Sequence, residues 1–175
     1  MTSDRTEAVI SSLEADEFRR VLGHFPTGVT VITARGEGGP IGMAANSFTS
    51  VSLEPPLVLV CPAKSSTTWP SIRAGGRFCA NILAHNHADI CRQFARPDVD
   101  RFAGISWHER PTGPGLDEAV AWIECKIDNE YEAGDHVIVV ASVGAIEAAE
   151  TTEPLVFFRG GYGRFLPGQG SEGLR

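Results

Sequence analysis

The sequence has no apolar run that approaches the roughly 20 residues a membrane-spanning helix needs. Its first part, residues 1–17, is polar and acidic, and it lacks the apolar core that a secretory signal requires. These two absences predict a cytoplasmic protein with no membrane partner.

Basic residues are also scarce. The 175-residue chain has 15 Lys and Arg against 22 Asp and Glu, which gives a formal net charge of −7. Nucleic-acid-binding domains show the opposite balance, because their affinity comes largely from cationic contacts to phosphates. The composition therefore predicts no nucleic-acid partner, but it leaves room for a local cationic site that holds one phosphate group.

The chain contains no Cys-x-x-Cys pair, which a zinc ribbon or a redox dithiol would require. Its four cysteines are Cys61, Cys79, Cys91 and Cys125. Cys61, Cys79 and Cys125 fall inside apolar runs, where cysteine usually acts as a small hydrophobic residue. We expect four free thiols.

One constellation carries the residue types of a metal site: Cys79, His85, His87 and Cys91. His87 and Cys91 would share one face of a helix at i, i+4. However, the spacing matches no standard zinc finger, and Cys79 belongs to a strand-like run. The prediction is therefore no metal site, with zinc as the alternative.

The length of the chain fits one domain with a substantial core. Hydrophobic residues make up 42% and charged residues 21% of the sequence, as is usual for a globular protein. We assign the domain to residues 13–166. Residues 1–12 are interpreted as a flexible extension, and the glycine-rich, polar residues 167–175 as a flexible tail.

The patterning of apolar residues predicts a mainly β fold with a few short helices. A first helix is expected over residues 13–23, followed by a β-branched strand over 27–34 and a glycine-rich hairpin turn over 35–40. Consecutive antiparallel strands with few helices favour a closed or nearly closed barrel of Greek-key type, which leaves few free edges. Further strands are expected at residues 57–61, 78–83, 119–128, 136–146 and 155–158.

The strand over residues 121–128 alternates in polarity. Its odd positions are apolar, while Glu124, Lys126 and Asp128 point the other way, so we expect one face to be wet. A Gly-Asp turn at 134–135 is expected to connect it to the next strand, which is apolar on both faces.

Residues 43–58 (MAANSFTSVSLEPPLV) concentrate small and hydroxyl side chains in one run. Small residues let a flat ligand approach the backbone, and Asn, Ser and Thr offer hydrogen bonds without charge. No acid/base pair accompanies the run. Such a site suits a protein that positions a cofactor and leaves the chemistry to it.

These motifs together resemble the short-chain flavin reductase family, the reductase components of two-component flavin-dependent monooxygenases. The resemblance covers roughly residues 18–165. It implies an FMN-binding split β-barrel, a homodimer, and a flavin groove near the subunit interface. The motifs that carry it are FPTGVTVIT at 25–33, the run at 43–58, Gly-Asp-His at 134–136, DRFAG at 100–104 and GGYGRF at 160–165.

The resemblance implies a set of flavin-binding residues. Residues 27–30 and 44–50 would lie along the flavin, and the loop at 61–67 before a helix would hold its phosphate. Ala80 and Asn81 would form the opposite wall. For Ser47 and Thr49 the alternative is a pair of outward strand positions, and for the loop it is an N-capped surface helix. The remaining residues of the set are Thr27, Gly28, Val29, Thr30, Ala44, Asn46, Ser47, Thr49, Ser50, Cys61, Lys64, Ser65, Ser66 and Thr67.

The resemblance also implies a site for the nicotinamide nucleotide. His136, at the start of a strand after a tight turn, would contact the dinucleotide or assist proton movement, with a solvated turn histidine as the alternative. A second contact would come from Arg159, Gly160, Gly161, Tyr162 and Arg164, where Tyr162 offers a stacking face and an arginine offers a phosphate partner. The alternative for this segment is a turn that packs an aromatic on the barrel.

The implied activity is reduction of FMN or FAD by NADH or NADPH, with release of the reduced flavin to a partner monooxygenase. Hydride transfer between the two cofactors needs no protein base. Two alternatives stay open: a split-barrel oxidase that retains its flavin, and a flavin-binding protein without enzymatic activity.

Overall fold

The computed structural model describes residues 14–149 and 153–166, and strands dominate this part of the chain. The predicted extension 1–12 and tail 167–175 lie outside the described residues. The helices are α1 Ala15–Leu22, α2 Trp69–Gly75 and α3 Ala88–Ala95. The strands are β1 Thr27–Gly28, β2 Thr30–Gly36, β3 Gly39–Ala45, β4 Thr49–Leu53, β5 Pro56–Val60, β6 Arg77–Ile82, β7 Trp107–Glu109, β8 Pro114–Leu116, β9 Ala121–Ala133, β10 His136–Ala148, β11 Leu155–Phe158 and β12 Gly161–Arg164.

Seven strands form one antiparallel sheet in the order β3-β2-β6-β9-β10-β5-β4. The sheet order leaves β3 and β4 as its two edges, although they follow each other in the chain. The mainly β, antiparallel architecture with short helices confirms the prediction from the sequence.

The predicted strand 27–34 is broken at Val29. Before the break, β1 pairs with β11 in a separate three-stranded sheet, whereas β2 after it pairs with β3 and β6. The carbonyl of the buried Val29 keeps a hydrogen-bond partner at the break, because it accepts the backbone N–H of Leu83 at 2.9 Å. The break thus lets residues 27–34 contribute one strand to each of two sheets. The alternation of residues in the sequence does not predict this division.

The core consists of two main clusters on opposite sides of β2. Ile32 packs with Ile72 of α2 and Phe78 on one side. Val31 packs with Leu83 and Phe94 of α3 on the other. Because neighbouring residues of a strand point to opposite faces, β2 is covered on both sides.

The predicted wet face of β9 is wrong at Glu124, whereas Lys126 and Asp128 are exposed as expected. Glu124 and Trp122 are buried, because residues 107–117 fold over them. The Glu124 carboxylate accepts hydrogen bonds from Arg110 Nε at 2.7 Å and from the Thr112 backbone N–H at 2.9 Å. A buried carboxylate needs such partners, so Arg110 and Thr112 account for its position.

Helix α1 is amphipathic but buries none of its residues. Phe18, Val21, Leu22 and the following Phe25 are all between about half and three-quarters exposed. Its end is held by the Gly23 carbonyl, which accepts a hydrogen bond from the Arg159 backbone N–H at 2.9 Å. None of the helices among the described residues is long and apolar enough to span a membrane.

Candidate functional site

A groove of about 770 Å³ lies between α1, β1 and the turn that joins β11 to β12. This volume falls within the range of about 300–1,000 Å³ that is typical of ligand pockets. Four residues predicted from the sequence line it: Thr27, Asn46, Arg159 and Gly160.

A smaller cavity of about 160 Å³ adjoins the groove, since Asn46 and Phe157 line both. Three more predicted residues, Val29, Ala44 and Tyr162, line this cavity. The groove and the cavity therefore bring together seven of the residues that the sequence assigned to cofactor binding.

Thr27 lines the groove with a polar group that lacks a protein partner among the described residues, and the next residue, Gly28, has open space beside it. The Thr27 hydroxyl is buried, yet it has no hydrogen-bond partner among the described residues. A Cβ added at Gly28 would meet no atom within 4 Å, so the protein itself does not fill this space. Buried polar groups in proteins are almost always paired, and the unpaired hydroxyl at a groove therefore fits a bound polar molecule such as a flavin.

Two of the predicted hydroxyl groups bind protein atoms instead. The Thr30 side chain is buried and donates to the Ala45 carbonyl at 2.8 Å. The Ser47 hydroxyl accepts the backbone N–H of Cys61 at 2.9 Å. These contacts fix the wall in place.

Asn46 is the exposed polar side chain of this wall and lines both the groove and the cavity. Thr49 and Ser50, on the edge strand β4, are also exposed but line neither space. Of the polar residues at positions 44–50, Asn46 is therefore the one placed to meet a ligand in the groove.

The structure corrects the assignment of Ala80 and Asn81 to a groove wall. Both residues have no exposed surface. The Asn81 amide donates to the Val31 carbonyl at 3.0 Å, and its oxygen accepts the Leu116 backbone N–H at 2.7 Å. The side chain is thus satisfied inside the protein and cannot contact a ligand in the groove.

The loop over residues 61–67 forms a separate cluster with the β9–β10 turn. The Lys64 backbone N–H donates to the Asp135 carbonyl at 2.9 Å, and Ala63 forms a β-bridge with His136. The Lys64 ammonium pairs with Glu132. The loop and His136 are therefore neighbours, although neither lines the 770 Å³ groove.

Within this loop, Ser66 serves the following helix. Its hydroxyl accepts the backbone N–H of Trp69, the first residue of α2, at 3.1 Å. Ser65 and Thr67 are exposed, and Cys61 is half-buried, with its thiol pKa raised by burial. Ser66 thus supports the first turn of α2, although the N-cap residue, Thr68, forms no side-chain capping hydrogen bond, and the role of the loop in phosphate binding stays a prediction.

The His136 ring is oriented by its neighbour. Its Nδ1 lies 2.8 Å from the Asp135 carboxylate, which can only accept at neutral pH, so Nδ1 donates and Nε2 is left for another partner. This hydrogen bond is the largest cause that lowers the pKa of Asp135, and the charge of Arg19 contributes.

Tyr162 is less open than a stacking platform would be. Its hydroxyl donates to Cys91 Sγ at 3.2 Å, and the Arg92 guanidinium lies 5.1 Å from the ring centroid. Phe157 packs against the ring at a centroid distance of 5.5 Å. Burial is the main cause that raises the pKa of Tyr162 to about 12. A nucleotide that stacks on the ring face covered by Arg92 would have to displace this guanidinium.

The other members of the 159–164 segment divide between two sides of the β11–β12 hairpin. Arg159 and Gly160 form the turn with positive φ angles of 50° and 78° and face the groove. Gly161 and Arg164 line a different cavity, of about 380 Å³. Arg164 also lies 3.9 Å from Glu153. Of the two arginines, Arg159 is the one that belongs to the groove.

The zinc alternative finds no support at its four residues. Among residues 14–149 and 153–166, no three His, Cys, Asp or Glu side chains stand close enough to hold a metal ion. Cys79 is buried in β6, and burial raises the pKa of its thiol to about 12. All four cysteines are free thiols, as predicted.

Helix α1 and the turn after it also form part of the groove wall, which was not expected from the sequence. Phe18, Arg19 and His24 line the groove, and no role was predicted for any of them. A signal was present, because α1 directly precedes the segment at 25–33 and carries an apolar stripe that the barrel does not bury.

The large antiparallel sheet and the ligand-sized groove beside it define a β protein that can hold a small molecule. Residues 22–166 match the family model described as "Flavin reductase like domain". The chain belongs to this family.

Known relatives agree over most of the chain. It is 44% identical to a flavin reductase of Pseudomonas putida over 94% of this chain and 98% of that protein. It is 43% identical to the reductase subunit of a flavin-dependent monooxygenase of Rhodococcus jostii, over 86% of this chain and 78% of that protein. A solved Streptomyces globisporus NADH:FAD oxidoreductase, in complex with NAD and FAD fragments, is similar with a TM-score of 0.84 and 40% identity, covering 88% of this chain and 94% of that one.

Proposed function

We propose that this protein is an NAD(P)H:flavin oxidoreductase that reduces FMN or FAD and releases the reduced flavin to a partner monooxygenase. The observation that carries the proposal is the groove of about 770 Å³, with the unpaired Thr27 hydroxyl and the exposed Asn46 side chain on its wall. A bound flavin supplies the redox chemistry by accepting a hydride from the nicotinamide. The protein therefore has to position the two cofactors and needs no reactive side chain of its own.

Asn46 and Thr27 are the hydrogen-bonding groups of the proposed flavin site. Both line the groove, and neither is committed to a protein partner by a side-chain hydrogen bond among the described residues. Ala44 and Val29 line the adjoining cavity and complete the wall. The exposed hydroxyls of Ser65 and Thr67, with Lys64, are the proposed partners of the flavin phosphate.

His136 is the proposed contact for the nicotinamide nucleotide. Its Nε2 is directed away from the Asp135 carboxylate and is free to donate or accept a hydrogen bond. Arg159 is the proposed second contact, since it is exposed at the groove and offers a planar set of donors for a phosphate.

A homodimer is part of the proposal. The exposed apolar side chains Phe18, Val21, Leu22 and Phe25 lie on or beside α1, which also forms one wall of the groove. Exposed apolar patches of this kind mark interaction surfaces. A second copy of the chain that covers α1 would close the groove, and a sedimenting species of one chain mass at micromolar concentration would contradict this arrangement.

Release of reduced flavin distinguishes the proposed function from a flavin-retaining oxidase. Purified protein should oxidise NADH or NADPH only when FMN or FAD is added, and the product should support a separate oxygenase. Because flavin reduction and the reaction of the separate oxygenase both use soluble cofactors, we propose that the protein acts in the cytoplasm.

The test is a steady-state assay of NADH and NADPH oxidation with FMN, with FAD and without added flavin. The proposed reductase requires added flavin. Turnover without added flavin would favour the oxidase, and flavin binding without any nicotinamide oxidation would favour a carrier. The variant His136→Ala should raise the KM for the nicotinamide nucleotide, whereas the matched control His85→Ala, an exposed histidine away from the groove, should not.

A further inference from the structure

Arg101 makes an unusual set of contacts for an arginine of an acidic protein. Its Nη1 donates to the Gly42 carbonyl at 2.7 Å and also to the Thr68 hydroxyl, and its Nε donates to the Arg96 carbonyl at 3.0 Å. No carboxylate of the described residues lies within ion-pair distance of it. Its pKa is lowered, mainly by burial. The guanidinium thus binds neutral oxygen atoms of three separate segments.

Each of these segments adjoins residues of the proposed flavin site. Gly42 lies in β3, directly before the wall at 43–46. Thr68 is the N-cap residue of α2, directly after the loop at 61–67. Arg96 is the C-cap residue of α3, next to Ala95, which lines the smaller cavity. The Arg101 side chain therefore connects segments next to the wall at 43–46, the loop at 61–67 and the smaller cavity.

The position of Gly42 is tightly defined from the other side as well. A Cβ at this residue would lie 2.7 Å from Cε1 of Phe94, so α3 packs directly on the β3 backbone here. Because β3 cannot move toward α3, the Arg101 contact sets where Thr68 lies relative to a fixed wall.

The loop that carries Arg101 has its own anchors. Gln93 Nε2 donates to the Ala103 and Arg101 carbonyls at 2.9 and 3.1 Å. Phe102 packs edge-on against Phe94, with ring centroids 5.0 Å apart. Since these contacts do not involve the guanidinium, the loop is expected to keep its conformation when the guanidinium is removed.

A direct role for Arg101 in binding a phosphate is disfavoured by its surroundings. Arg101 lines a cavity of about 270 Å³ that Asp98 and Asp100 also line. Two carboxylates at the same cavity repel an anion, so a cofactor phosphate would find a better partner at Lys64.

We infer that Arg101 is a positioning residue that holds the loop at 61–67 against the β3 wall and so sets the affinity for flavin. The inference rests on the proposed function, because it takes these two segments as the flavin site. The planar guanidinium can bind Gly42 and Thr68 at once, whereas a lysine ammonium on a flexible stem lacks this fixed geometry.

The experiment compares Arg101→Met, Arg101→Lys and Thr68→Val with the wild type. Flavin Kd is measured by quenching of FMN and FAD fluorescence, and kcat and flavin KM are measured at saturating NADH. Loss of a charge-assisted hydrogen bond predicts a flavin Kd and KM raised about tenfold in Arg101→Met, with kcat at saturating flavin within about twofold. Arg101→Lys and Thr68→Val should lie between this variant and the wild type.

The matched control is Arg35→Met. Arg35 also binds main-chain oxygen, with Nη2 2.8 Å from the Arg110 carbonyl, but it lies on β2 away from the groove. Its removal should leave flavin Kd unchanged, and this separates a positioning effect from a general loss of packing.

The outcomes distinguish a failure of the inference about Arg101 from a failure of the proposed function. If the wild type binds flavin and Arg101→Met binds it equally well, the inference about Arg101 is overturned and the proposed function stands. The same holds if kcat falls in the Arg101 variants while flavin KM is unchanged. If the wild type binds no flavin, both are overturned. Should Arg101→Met fail to fold, an unchanged Kd in Thr68→Val and Arg101→Lys would overturn the inference.

Discussion

The hydroxyl oxygen of Ser47 lies 2.9 Å from the backbone nitrogen of Cys61, whose N–H it accepts. This hydrogen bond joins the end of the β3 wall to the start of the loop at 61–67. It does so through a side chain that the sequence assigned to the ligand. Part of the polar character of residues 43–58 thus serves to hold the two halves of the proposed flavin site together.

Replacing Ser47 by alanine should therefore weaken flavin binding without direct loss of a ligand contact. The Cys61 N–H would lose its partner, which costs about 1 kcal/mol for a half-buried group. We expect a higher flavin KM and a lower Tm. Calorimetric unfolding together with flavin titration measures both. A variant with wild-type Tm and wild-type flavin affinity would contradict this prediction, and Ser142→Ala on β10, away from the groove, serves as the control.

Asp135 offers a test of how His136 is oriented. The variant Asp135→Asn removes the carboxylate that accepts from Nδ1, so we expect a higher KM for NADH or NADPH with flavin KM unchanged. The control is Asp117→Asn, because Asp117 forms an equivalent hydrogen bond of 2.8 Å with His108 away from the groove. An equal effect in both variants would argue against a specific role for the His136 turn.

The hydrogen bond between Asp135 and His136 also predicts a pH dependence of the KM for the nicotinamide nucleotide. The lowered pKa of Asp135 means that the fold favours its charged form, chiefly through the hydrogen bond to His136. The contribution is present at neutral pH and is lost as the pH falls through the lowered pKa. We therefore expect the KM for the nicotinamide nucleotide to rise on acidification in the wild type. This rise should be smaller in Asp135→Asn, which has no carboxylate to protonate.

Much of the fold could be predicted from the sequence because it is encoded locally. The strand β11 and the hairpin turn between β9 and β10 match their predictions, since a short apolar run and a Gly-Asp turn are properties of neighbouring residues. The break at Val29 and the burial of Glu124 could not be predicted in this way. Both depend on partners that are distant in the chain: Leu83 for the Val29 carbonyl and Arg110 for the Glu124 carboxylate.

The site shows the same division. Motif similarity found residues such as Thr27 and Asn46, which line the groove. It also assigned Asn81, which is buried and hydrogen-bonded to Leu116 and Val31. A side chain that binds a ligand and one that satisfies the backbone of the core have the same sequence signature, an asparagine in an apolar strand. Only the packing separates them.

The four thiols should differ sharply in reactivity. Burial raises the pKa of every one of them, which reduces the reactive thiolate at neutral pH, but only Cys61 is half-buried while the others are buried. A thiol reagent should therefore label Cys61 first and the other three after unfolding. Added flavin should slow this labelling, because Cys61 begins the proposed phosphate loop. Rapid labelling of native Cys61→Ser would contradict the prediction.

The strongest effect on stability is expected at Arg110, which is far from the groove. Its side chain is 13% exposed, it binds Glu124 at 2.7 Å and Glu147 at 2.9 Å, and its guanidinium lies 5.2 Å from the Trp122 ring centroid. The variant Arg110→Met would leave the buried Glu124 carboxylate without its charged partner, which costs about 3–5 kcal/mol. The exposed pair of Arg35 and Glu109 should contribute no more than about 1 kcal/mol.

Chemical denaturation of Arg110→Met, Arg35→Met and the double variant Arg110→Met/Glu124→Leu measures this difference. The double variant should recover much of the lost stability, because replacing both members of a buried ion pair by apolar groups removes the uncompensated charge. Flavin Kd should stay at the wild-type value wherever the protein is folded, since Arg110 does not line the groove. Equal losses of stability in Arg110→Met and Arg35→Met would show that the burial of Glu124 carries no special energetic cost.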